Sequence, residues 1–77
     1  AQDKYLIDGS VNIDEINIRL GTELKCHEFD SVGGFIIEKL DRFPKPNEVI
    51  EIDNLKFTIM KSKKNRIEKI LLELQNK

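Results

Sequence analysis

The sequence predicts an α+β fold in one small domain, ordered as a strand, two short helices and then strands. Three observations carry that expectation. Apolar residues recur at helical spacing in two segments of the first half, and they alternate in the last third. Glycine, proline and Asx residues punctuate the boundaries between these segments. A chain of 77 residues is also near the small end of what folds without a disulfide or metal, so one domain is the limit.

The first element is "YLIDGS", a short strand broken at Asp8-Gly9. In "NIDEINIRLG" Asn12 is placed to cap a helix, and Glu15 follows three positions later, where a capping box needs it. Ile13, Ile16 and Leu20 share one face, and Gly21 suits the residue just past the helix end. "TELKCHEFD" reads as a loop or extended connector. Asp30 then caps a second helix, running from Ser31 to Leu40, with Val32, Phe35, Ile36 and Leu40 as its buried stripe. Pro44 and Pro46 end it.

The period changes after Glu48. Ile50 and Ile52 fall on one face of a strand, and Leu55, Phe57 and Ile59 on the same kind of face in the next. Asp53-Asn54 between them tolerates the positive φ angles of a tight hairpin. "KSKKN" reads as a polar loop. Arg66–Leu74 is ambiguous: Ile67, Ile70, Leu71 and Leu74 match a helix, whereas Ile70, Leu72 and Leu74 alternate as a strand only if a bulge accommodates Ile67. Periodicity alone favours the helix.

Composition removes several function classes. The chain is 39% hydrophobic and 35% charged, with a formal charge of −1, so no net field draws nucleic acid or an anionic membrane. No apolar run approaches the roughly 20 residues that span a bilayer. The N-terminus lacks the basic and apolar regions of a signal peptide. A lone cysteine, Cys26, fits a reducing compartment. Ala1 opens the chain without a methionine, which fits a processed protein or a piece of a larger one.

No catalytic constellation stands out, and no catalytic residue or metal ligand is assigned. Cys26 and His27 are neighbours, and in an extended segment they point to opposite sides, away from a nucleophile–base geometry. "CHEFD" gathers Cys26, His27, Glu28 and Asp30, but no second cluster completes a four-ligand metal site. Lys61, Lys63, Lys64 and Arg66 form the only basic patch, without the interleaved aromatics that stack nucleic-acid bases. Gly33 and Gly34 occupy the first turn of the second helix. They are the candidate cofactor-binding residues, since free amides at a helix start bind anions. The competing reading is close approach of another backbone, and Asp30 favours it because its carboxylate would compete with an anion.

Three segments together resemble the CorC/HlyC transporter-associated domain: "DGSVNIDEINIRLG", "DSVGGFIIEKLDRFPKPNEVIEID" and "LKFTIMKSKKNRIEKILLEL". That family is the small C-terminal module of haemolysin-like, CBS-domain-containing membrane proteins. Its pattern has a D-G start, a short helix ending in L-G, a "GG" helix leading into R-x-P-K-x-G-E, a hairpin with a central aromatic, and a last strand. Here Asn47 stands where that pattern often has glycine before glutamate, and Asp41 where a glycine often closes the second helix.

The resemblance implies that Arg66–Leu74 is a strand, so that the chain ends in an antiparallel β-meander. The implied fold is of the FAD-binding/transporter-associated-domain type. It implies that residues 1–77 are one domain excised from a larger membrane protein, lying on the cytoplasmic side after a membrane-spanning region and a CBS pair. The family is associated with magnesium and cobalt efflux, and the implied role is a non-catalytic regulatory module. Its partners would be the CBS domains or a second copy, with membrane contact only through the parent and no nucleic acid. No cofactor is expected. The alternative is a small-ligand domain binding FAD or an adenine nucleotide at Gly33-Gly34 or near the lysine loop.

Overall fold

Two alternating segments joined by Asp53-Asn54 dictate a hairpin, and a computed structural model describing residues 4–75 contains it. Ala1, in the chain's opening segment, lies outside the described residues. The elements are β1 (Lys4–Asp8), α1 (Ile13–Leu20), α2 (Val32–Leu40), β2 (Val49–Ile52), β3 (Leu55–Lys63) and β4 (Arg66–Leu74). They form one four-stranded sheet in the order β1-β4-β3-β2, with every pairing antiparallel. The domain is therefore α+β with the expected meander, β2-β3-β4, and β1 added along β4. Asp53 and Asn54 have φ of 50° and 67°, which suits a two-residue hairpin turn between right-twisted strands.

The last element is a strand, contrary to its apolar periodicity. Ile59 pairs with Ile70 and Lys61 with Lys69, but Ser62 pairs with Ile67, so Met60 on β3 and Glu68 on β4 each bulge from the ladder. The bulge at Glu68 turns Ile67 back onto the face of Ile70 and Leu72, and all three are buried. A three-residue spacing that imitates a helix is thus a strand with one extra residue. The basic segment read as a loop is also largely strand: β3 runs through Lys63 and β4 resumes at Arg66, leaving Lys64-Asn65 at the turn.

Both helices lie on one face of the sheet. Phe57, Ile59, Ile70 and Leu72 point up from it and are fully buried under Val32, Phe35 and Ile36 of α2 and Ile13 and Ile16 of α1. The Phe35 and Phe57 rings lie 6.0 Å apart, tilted by 55°, joining helix to sheet at the centre of the core. No helix among the described residues is long and apolar enough to cross a membrane.

The first helix begins as its sequence indicates: the Asn12 side chain accepts from the Asp14 N–H at 2.8 Å, and Gly21 closes it with φ of 68°. Glu15 does not complete the capping box; its carboxylate takes the Arg19 guanidinium one turn on. The second helix starts one residue later than expected, with Ser31 rather than Asp30 as its cap. The cause is pairing between the two helix entries. Ile13 donates to the Asp30 carbonyl at 2.7 Å and Val32 to the Val11 carbonyl at 2.8 Å, which holds Ser31 extended in a bridge opposite Asn12 and keeps it out of the helix.

Candidate functional site

Gly33 and Gly34 sit where the sequence places them, in the first turn of α2, and both are buried. The Gly33 N–H donates to the Gly9 carbonyl at 2.9 Å, and the Gly34 N–H to Ser31 Oγ at 3.1 Å. With Val32 bound to Val11, all three amides of the helix start have protein acceptors. A Cβ on Gly34 would overlap the Phe29 side chain, and one on Gly33 would lie 3.0 Å from the Gly9 carbonyl oxygen. Gly9 is itself pressed against the Ile67 carbonyl, so Gly9 and Gly33 bring the β1 end, the α2 start and β4 into backbone contact. Beside them is a hollow of about 290 Å³, lined among others by Ser10, Ser31, Asn65 and Arg66.

Cys26 and His27 do not diverge as an extended segment requires, because the backbone bends at His27–Glu28 and both approach Glu38 of α2. The Glu38 carboxylate accepts the backbone N–H of His27 at 3.0 Å and of Glu28 at 3.0 Å. His27 Nδ1 lies 3.1 Å from it, and Cys26 Sγ 3.5 Å. The Glu28 amide and the His27 ring, followed by the other donors, bring the Glu38 carboxyl down to about 2. Burial raises the Cys26 thiol above its ordinary range, with the negative charge of Glu38 adding to it. An ionised carboxylate beside a protonated thiol fastens the 22–30 connector to α2. Glu28 and Asp30 contribute no further ligand there, and no three of His, Cys, Asp and Glu converge as a metal-holding group among the described residues.

Two more charged clusters follow. Arg42 grips Glu48 through both guanidinium nitrogens, and the Lys45 N–H donates to the same carboxylate at 2.8 Å. The Arg42 hydrogen bond, then the Lys45 amide, lowers Glu48 to about 2. This clamp closes the Phe43–Glu48 turn, with Asn47 at φ of 67°. At the β3–β4 turn Lys61, Lys63 and Arg66 fan around Glu68 at 3.9, 3.3 and 3.3 Å. Burial works to raise the Glu68 carboxyl, but these three cations outweigh it and hold it lowered. The basic patch is therefore partly neutralised by an acidic residue that its own sequence run, K-K-N-R-I-E, already displays. Glu38, eleven residues from His27, gave no such signal.

A two-helix layer on a four-stranded antiparallel sheet, bound at a glycine junction, defines a small α+β domain class. The sequence model of the transporter associated domain, CorC/HlyC, matches residues 1–76, and the chain belongs to that family. It is 37% identical over 70 residues to Hemolysin C of Brachyspira hyodysenteriae, covering 90% of this chain and 26% of that protein. It is 32% identical over 73 residues to the magnesium and cobalt efflux protein CorC of Buchnera aphidicola, covering 95% and 25%. Among solved structures, a hemolysin domain from Enterococcus faecalis V583 superposes with a TM-score of 0.87 at 27% identity, over 99% of this chain and 93% of that one. The chain thus spans about a quarter of the length of these two curated relatives, and less of others that it matches.

Proposed function

We propose that this domain is a non-catalytic regulatory module of a haemolysin-like or magnesium/cobalt-efflux-type membrane protein. It modulates ion transport from the cytoplasmic side, through contacts with CBS domains of the parent or with a second copy. The observation that carries this reading is the family match along residues 1–76, in a chain that spans only about a quarter of relatives named as haemolysin and efflux proteins. The geometry supports it: the clustered charges described above bind one another and hold turns, while exposed apolar side chains remain on the surface. The test is sedimentation of the parent with and without residues 1–77, in the presence and absence of adenine nucleotide. A changed assembly or a changed nucleotide response is expected; identical behaviour in both respects would overturn the reading.

A second reading has one observation in its favour, the hollow at Gly33-Gly34, which Arg66 helps to line. Its volume of about 290 Å³ falls at the lower end of ligand sites, enough for one nucleotide base or phosphate group and too small for a whole dinucleotide. Titration with FAD or ATP, followed by flavin fluorescence or amide shifts, tests it. A saturable response at the glycines supports it, and no response at millimolar ligand removes it.

A further inference from the structure

Each strand of the sheet turns one side to the helices and one side away, and the register makes the outward side legible row by row. Lys4 pairs with Glu73, Glu73 with Lys56 and Lys56 with Glu51, so charges cross the four strands as plus, minus, plus, minus. The next outward row is Leu6, Leu71, Thr58 and Val49. Leu6 is 65% exposed, and Val49 and Met60 are each 48% exposed. A solvated antiparallel face is expected to be polar on that side. The ladder of charges meets that expectation, with Lys4 and Glu73 3.8 Å apart, but the apolar row beside it does not.

We infer that this outer face seats a second copy of the chain, packed sheet to sheet about a two-fold axis that runs along the strands between β4 and β3. The inference rests on the reading of the domain as an interaction module and names its partner and surface. Such an axis exchanges β1 with β2 and β4 with β3. Lys4 of one copy then faces Glu51 of the other, and Glu73 faces Lys56. In the next row Leu6 faces Val49, and Leu71 faces Thr58. A row of alternating charges reversed end to end becomes its own complement, so every charge in it meets its opposite. An unrelated surface of one sign would meet two like charges in the same row. Self-complementarity of this kind is what an isologous contact requires.

The far end of the face limits the contact. Lys69 and Lys61 would oppose each other across the axis, although Asp8 lies 3.6 Å from Lys69 and Glu68 3.9 Å from Lys61. The overlap is therefore concentrated at the Leu74 end. A patch only four strands wide, at about 4.8 Å per strand, belongs with the weak, transient interfaces that bury below about 1,200 Å².

The test is sedimentation velocity of the 77-residue chain from about 10 µM to about 1 mM, the range in which interfaces of this size associate. A reversible dimer that weakens with salt is expected, since exposed charges are screened. Leu6→Asp, at a position too exposed to carry the fold, is expected to weaken it by at least about tenfold. The decisive arm mixes two variants. Lys56→Glu and Glu73→Lys chains should each fail to self-associate, while their equimolar mixture forms a heterodimer. That recovery has no counterpart within one chain, because each variant keeps its own broken ladder. A chain monomeric throughout the range, or a mixture that behaves as the sum of its parts, would overturn the proposal. Either failure leaves the sedimentation result on the parent standing, so the two readings fail separately.

Discussion

Among the described residues four non-glycines occupy left-handed backbone, and two of them lie outside the β2–β3 hairpin: Asp41 with φ of 59° and Asn47 with φ of 67°. Both are positions where the resembled pattern often has glycine, so the departures lie where their cost is predictable. Asp41→Gly is expected to stabilise the domain by about 0.5–1 kcal/mol, the left-handed penalty less the added freedom of the unfolded chain. Urea unfolding at neutral pH checks this. The opposite sign is expected at the glycine junction: Gly34→Ala should destabilise strongly, because its new methyl overlaps Phe29 in a close-packed site. The two anchoring carboxylates set the acid response. Glu38 and Glu48 are both lowered from 4.5 to about 2, so the stability they contribute is full above pH 4.5 and fades as pH falls toward 2. Unfolding midpoints measured between neutral pH and pH 2 should decline below 4.5 in the parent chain and far less in the Glu38→Gln/Glu48→Gln double variant. Asn47 was legible in the sequence because left-handed backbone restricts residue type, and Gly34 because a glycine pair in the first turn of a helix costs helix propensity and so marks a close approach. Glu38 was not, since its partners lie on a connector whose path depends on tertiary packing.

At the scale of elements, β4 is paired on both sides, with β1 and β3, while α1 rests on one side only. Amides of Phe57–Ile59 and Ile70–Leu72 should therefore exchange with solvent most slowly, and those of α1 and the Lys64-Asn65 turn faster. Hydrogen exchange followed by NMR checks the order; greatest protection in α1 would contradict it. The helices and the β2–β3 hairpin were readable in advance, because their apolar periods are regular and their turn residues are diagnostic. The β4 strand was not readable from its own residues. A bulge at Glu68 converts the alternation of a strand into the three-residue step of a helix, and only pairing with β3 distinguishes them. The one-residue shift in the start of α2 has a similar origin: Asp30 and Ser31 are equally good caps locally, and the bridge to residues 11–13 decides between them.

At the scale of the whole molecule, the domain has one core, and a single deletion in it should be felt everywhere. Phe57 is fully buried and meets Phe35 across the sheet–helix interface. Phe57→Ala is expected to cost about 3–5 kcal/mol, a large part of the roughly 4–12 kcal/mol available to a domain of this size. Circular dichroism should then show a substantial unfolded fraction near 37 °C. Beyond the core, the clustered charges secure a connector, a turn and a hairpin, and the role proposed for the domain is attachment rather than turnover. The central claim is that this attachment regulates ion movement by a larger membrane protein. It is tested most directly by metal flux through that parent, with and without residues 1–77, as adenine nucleotide is varied. The account predicts that flux persists without the domain but that its rate or its nucleotide dependence changes. Flux and nucleotide dependence identical in the two proteins would contradict it.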